Sequence, residues 1–225
     1  TGAQDEIPPR STDKATGRFV ILGHPKAGLL VSATAGKDLN ADVIAVAVKA
    51  TEKPGTYKWK GSDGQGTPET IKHCGKTVLK AASDGSTYCC GFTFWVGMEV
   101  ANKHGLLDGK DFDEVRGLQQ QWFGSGGDDV KKRQVVAALE NFGIGQSVAF
   151  ANAKKGDFVQ IGRSGSGHSV IFMNWVLDAE GTKIGLNYIS SNTGKGITEQ
   201  EEKFTTHGGR VIFENTYAGR MLAKV

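Results

Sequence analysis

The spacing of apolar positions along the chain changes character near Lys155. Upstream of it, apolar residues recur every three to four positions. Phe92, Trp95, Val96, Val100 and Ala101 predict a helix over 89–104 that Gly105 ends. Two more amphipathic stretches, 111–122 and 128–142, flank the run Gly124 to Gly127. An earlier helix is expected over about 41–51, capped by Asn40 and stopped by Pro54-Gly55. Downstream of Lys155 the apolar runs are short and rich in β-branched and aromatic residues. Residues 158–161, 169–177, 183–190 and 211–217 read as strands, the second and third joined by a hairpin at Asp178 to Gly181.

The remaining segments are less regular. Residues 1–17 are polar and aperiodic, which predicts a loose N-terminal arm. Two short strands around a turn are expected within 18–31. The turn-rich stretch 61–86 carries a short helix near Pro68 to His73. Helices followed by strands define an α+β class, with one domain over 18–225.

Composition narrows the function classes. The net charge of +3 is mild, and the one tight basic run, Lys131-Lys132-Arg133, reads as the wet face of a helix rather than a nucleic-acid stripe. No stretch reaches the ~18 apolar residues of a membrane span. The chain opens on Thr1-Gly2, which is read as a processed end with any signal peptide already removed. Nothing in the sequence bears on oligomeric state.

The candidate chemistry starts at Cys89 and Cys90, where a Gly- and Ser-rich loop enters a helix. Unpaired N–H groups and the positive end of the helix dipole favour a thiolate there, and can also serve an oxyanion. The competing use is as two small apolar residues packed at a helix start. His168, behind the loop 162–167 and at the mouth of a strand, is the candidate base. A third group would hold its ring. A four-residue hairpin turn sets Ser191 opposite His168, and a two-residue turn sets Thr193 there. Asn192 lies between the two and offers an amide oxygen, so it is the first choice, with Ser190 and Asn187 as fallbacks. A metal site at His73, Cys74, Cys89 and Cys90 lacks the paired C-x-x-C spacing, and adjacent cysteines chelate one ion poorly. No metal or cofactor is called for.

Four segments together carry a resemblance. A helix followed by Gly55-Thr56-Tyr57-Lys58-Trp59-Lys60-Gly61 is similar to a G-x-x-Y-x-W-G-G lead-in, and Tyr88-Cys89-Cys90-Gly91-Phe92 to D-C-S-G-F. Residues 153–159 look like the P-G-D-L-V segment that leads into a core strand, and Gly167-His168-Ser169-Val170-Ile171 matches G-H-V-x-I. In this order they resemble the NlpC-like cell-wall hydrolases of the papain superfamily and, less closely, the CHAP amidases. The match covers about residues 40–200, with 190–197 as the segment closing the site.

The resemblance implies a papain-like fold in which a nucleophile helix packs on an antiparallel sheet. It implies a secreted or cell-envelope cysteine amidase or endopeptidase, cutting peptidoglycan stem peptides or a similar small peptide through a thioester. It selects Cys89 over Cys90 as nucleophile, with His168 as base, and assigns Tyr57, Trp59 and Tyr88 to substrate binding. If the protein is exported, Cys74 and Cys90 are expected to pair. The departures are Tyr88 for the family's Asp, Cys90 for its Ser, a long gap between Trp59 and Cys89, and a helical insert over about 106–150. The family's third residue is often His, and none lies in 187–193, so Asn192 would take its place. The alternatives are a papain-fold enzyme on another acyl substrate (a protein peptidase, acyltransferase or toxin) and a non-catalytic domain that kept the fold.

Overall fold

The structure is a computed structural model that describes residues 36–52 and 55–224. They lie in a single unit running from Thr34 to Val225. The arm expected over 1–17 and the strands expected within 18–31 lie outside the described residues.

Helix α1, Asn40–Ala50, buries Asn40, Val43, Ala47 and Ala50, one face at three- and four-residue spacing. Asn40 does not cap it. Leu39 holds the cap position without a side-chain bond. The Asn40 side chain turns inward instead, donating to the Lys155 carbonyl at 2.9 Å and to Asp157 Oδ1 at 2.8 Å. The helix expected near 68–73 is a hairpin of β1, Ile71–His73, and β2, Lys76–Leu79. Its turn is Cys74-Gly75, both at positive φ, the conformation a tight two-residue hairpin requires.

Helix α2, Cys89–Lys103, is buried along nearly its whole length. Helix α3, Phe112–Trp122, starts on a capping box in which Asp111 and Glu114 each accept from the other's backbone N–H. Trp122 at its end is fully buried and donates Nε1–H to Thr93 Oγ1 at 3.1 Å. Its ring fills the space beside Gly97, where a Cβ would come within 2.7 Å of it, so α3 seats closely on α2. Truncating a tryptophan packed in this way costs about 3–5 kcal/mol. The single helix expected over 128–142 is two, α4 at Asp128–Arg133 and α5 at Val135–Asn141. They break at Gln134, whose φ of 42° and ψ of −109° no helix accommodates.

A six-stranded antiparallel sheet follows. Its strands are β3 (Gly145–Val148), β4 (Phe158–Arg163), β5 (Ser166–Leu177), β6 (Lys183–Asn192), β7 (Gly196–Lys203) and β8 (Ile212–Met221), in the spatial order β3-β8-β4-β5-β6-β7. Phe158, Ile171, Ile189 and Met221 pack with the helices in one core. Their neighbours Val159, Val170, Phe172, Leu186 and Tyr188 point the other way and join Phe150 and Phe204 in a second cluster. The α+β class therefore holds, as helices packed on an antiparallel sheet. Strands β3 and β7 were not expected. β7, the edge, carries exposed Glu199 and Glu201, charges that discourage pairing with another chain.

Neither hairpin register expected for β5 and β6 holds at the turn or next to His168, although the one set by a two-residue turn is adopted over Asn174 to Val176. Asp178 N–H bonds the Thr182 carbonyl, which leaves a three-residue loop with Gly181 at φ 82°. Two compensating bulges follow, one between Val176 and Leu177 and one between Phe172 and Asn174.

A buried charge pair ties β8 to the segment before β4 and, through the Asn40 amide, to α1. Asp157 is wholly buried and takes a two-pronged bond from Arg220 of β8, 2.8 Å on each oxygen, besides the Asn40 amide and the Lys154 N–H.

Candidate active site

The segment before α2 is held from two sides. The Tyr57 stretch runs beside Thr87 as a parallel bridge, with Thr87 N–H to the Thr56 carbonyl and Lys58 N–H to the Thr87 carbonyl, each 2.9 Å. Thr87 Oγ1 lies 2.7 Å from Ser191 Oγ of β6. Tyr88 N–H bonds the Gly66 carbonyl, and the Gly66 backbone crosses so close to Gly91 that a side chain there would strike the Gln65 oxygen at 2.6 Å. Cys89 is thereby fixed as the first residue of α2, where N–H groups lack helical acceptors.

The structure brings Cys89, His168 and Asn192 together. His168 is buried and stands beside Cys89. Its Nε2 lies 3.2 Å from Asn192 Oδ1. The Asn192 amide has one reasonable orientation, because Nδ2 donates to the Ser190 carbonyl at 2.8 Å and the Thr198 carbonyl at 3.1 Å. Oδ1 is then an acceptor, so Nε2 carries a proton toward Asn192 and Nδ1 is the other ring nitrogen, on the side away from that bond. Tyr188 stacks edge-on against the ring from behind, centroids 5.6 Å apart, and its hydroxyl joins the Arg163–Glu202 ion pair. The fallback residues are engaged elsewhere: Ser190 Oγ donates to the Ser169 carbonyl at 2.7 Å, and Asn187 sits mid-strand between Asn174 and Glu201.

The two adjacent thiols are shifted in opposite directions. A hydrogen bond from Cys90 acts most strongly on Cys89. With the His168 ring and the Ser169 N–H it outweighs burial and holds the Cys89 thiol well below its ordinary range. Donation to Cys89 and burial together push the Cys90 thiol well above its own. Cys89 is also the more accessible of the two, being partly exposed where Cys90 is buried. The expected Cys74–Cys90 disulfide does not form. All three thiols are free, and Cys74 stands exposed in the β1–β2 turn, its sulfur turned toward the Lys110 carbonyl.

A cleft of about 410 Å³ opens over Cys89 and His168, walled by Tyr57, Trp59, Phe123 and Gln134 among others. Trp59 is 55% exposed and lies edge-on to Tyr88, centroids 4.7 Å apart. Tyr88 itself does not line the cleft. It is wedged between Trp59 and Phe123 as their support. Burial pushes its phenol up, and burial together with the neighbouring thiols does the same to Tyr57.

Gln160 and Gln134 are among the cleft residues that escaped the sequence reading. Gln160 interrupts the apolar run of β4 and is only 4% exposed. Directly opposite it in register, Ser169 donates its hydroxyl to Gln160 Oε1 at 2.6 Å, which leaves the amide Nε2 facing the cleft. That nitrogen lies where a Cβ on Gly167 would meet it at 2.7 Å. The polar residue within the run 158–161 was the available signal. Gln134 had none, since its place in the cleft depends on the helix break.

Among the described residues, no group of three or more His, Cys, Asp or Glu side chains is arranged to hold a metal ion. No helix there is long and apolar enough to cross a membrane. No family model matches the chain, and neither a curated protein nor a solved structure matches it.

Proposed function

We propose that the chain is a papain-like cysteine hydrolase that cleaves an amide bond in a small peptide through a thioester. Peptidoglycan stem peptides, in a secreted or cell-envelope setting, are the substrate class to which the sequence resemblance points. The observation that carries this reading is the file of Cys89, His168 and Asn192, its first two members lining an open cleft and the third buried behind the ring. A lowered thiol, a ring beside it and an amide oxygen fixing that ring are the three parts nucleophilic acyl transfer requires.

In this reading His168 holds the proton given up by Cys89. The thiolate attacks the carbonyl carbon, and the first-turn N–H groups of α2 stabilise the oxyanion. As the C–N bond breaks, His168 passes its proton to the departing amine. Water then attacks the thioester and yields its proton to His168. The carboxylic acid leaves and the thiolate returns.

Alkylation by iodoacetamide at pH 6 tests the reading on the wild type and on Cys89→Ser. Fast labelling of one site, absent from the variant, is expected, and digestion of purified peptidoglycan should then release new amino termini. Equal, slow labelling of all three cysteines would remove the hydrolase assignment.

A further inference from the structure

A second cavity of about 370 Å³ adjoins the cleft and shares Gln134, Gln160, Ser166 and Gly167 with it. Its far wall is Lys131, Lys132, Asn215 and Tyr217. No acidic side chain lines either cavity among the described residues.

Neither lysine has a carboxylate within 3.5 Å among the described residues. Among the described residues Lys131 pairs only with Asp128, at 3.8 Å, and both side chains are widely exposed. Lys132 Nζ lies 5.6 Å from the Tyr217 ring centroid, and its hydrogen bond with Tyr217, ahead of the more distant Asp129 charge, holds its ammonium above the ordinary lysine range. The nearby Asp129 is committed to Arg133 by bonds of 2.7 and 2.6 Å. Two cations thus line a cavity that adjoins the cleft over the thiol, and an oriented amide donor belongs to the wall both share. Gln160 Nε2 has no hydrogen-bond partner among the described residues, while its Oε1 is locked by Ser169. A buried amide set in that way is a ready donor to a peptide carbonyl.

We propose that the second cavity is the subsite for a carboxylate-bearing end of the peptide substrate, with Gln160 Nε2 bonding a carbonyl of the connecting chain and Lys131 and Lys132 receiving the carboxylate. The assignment builds on the hydrolase reading, and it adds that the preferred substrate is an acidic or free-carboxyl peptide. It uses residues of the insert, which the resembling segments do not cover.

The test is calorimetric, on the Cys89→Ala variant, so that binding is read without turnover. N-acetylated alanine peptides of two, three and four residues are titrated as free carboxylates and as carboxamides. At one or more lengths the carboxylate should bind about tenfold more tightly at low salt, an advantage that fades as salt rises. Lys131→Gln with Lys132→Gln should abolish the difference. Both sites are exposed, so the fold is not at stake. Gln160→Met should weaken carboxylate and carboxamide by the same factor. Equal affinities in the parent, a preference that survives the double lysine change, or no binding at any length would overturn the proposal. A carboxylate preference in a protein whose Cys89 proves inert to iodoacetamide would keep the subsite and remove the hydrolase.

Discussion

His168 Nε2 and Asn192 Oδ1 stand 3.2 Å apart on strands whose pairing slips twice before reaching them. The amide oxygen fixes both the tilt of the ring and which nitrogen carries its proton. Asn192→Ala removes that acceptor and lets the ring rotate and exchange tautomers. We expect kcat on a peptide substrate to fall by about 100-fold with KM little changed. Steady-state kinetics will show this, and the pH profile of Cys89 alkylation should lose its low-pH limb if the ring no longer faces the thiol.

Cys90 should matter although it does no chemistry. Its hydrogen bond is the strongest influence lowering the Cys89 thiol, so Cys90→Ala raises the pH at which Cys89 becomes a thiolate. In the wild type, alkylation stays fast well below the ordinary thiol range and declines only as pH falls through the lowered value. In Cys90→Ala the decline begins at higher pH. Stopped-flow alkylation across pH reads the midpoint directly, and an unmoved midpoint would contradict the influence of Cys90 on Cys89.

Asp157 is a stability residue. Asp157→Asn leaves the Arg220 guanidinium, 12% exposed, facing a neutral amide in a dry site. Breaking a buried pair from one side costs about 3–5 kcal/mol. Urea unfolding should show that loss at neutral pH, with Cys89 alkylation unchanged in whatever fraction stays folded.

Gln134 should behave in the opposite sense. Its positive φ is strained for any residue with a Cβ, at about 1–3 kcal/mol. Gln134→Gly relieves most of that strain. We expect a gain of about 1 kcal/mol, or roughly 2–4 °C in Tm, together with weaker peptide binding because a wall of the cleft is lost. Thermal melting and calorimetry separate the two effects.

How much of this could be read from the sequence differs by element. α2 was legible because its apolar positions keep helical spacing up to Gly105, and the Gly167-His168 strand because its apolar run is short and bounded. The β1–β2 hairpin was hidden by the brevity of its strands and by a Cys in the turn where Asn or Asp would announce one. β7 was hidden by its glutamates, which mark an edge rather than a loop. Asn192 could be proposed only as lying between two simple registers. The loop ending at Gly181 selects the intermediate one, and the bulge in each strand offsets the other. Gln134 carried no sign of its backbone, since left-handed geometry at a glutamine is imposed by the packing of α4 and α5 on either side.

Gly167 reads as hairpin punctuation, yet the β4–β5 turn places its positive φ at Gly165, not at Gly167. What position 167 supplies is empty space for the Gln160 amide. Selection therefore sees the two positions as one character. A lineage that shortened residue 160 would release 167 to alanine or serine, whereas one that kept the glutamine would be held to glycine. In a set of homologous chains, the covariation of 160 with 167 would mark which of them inherited the same appetite for substrate.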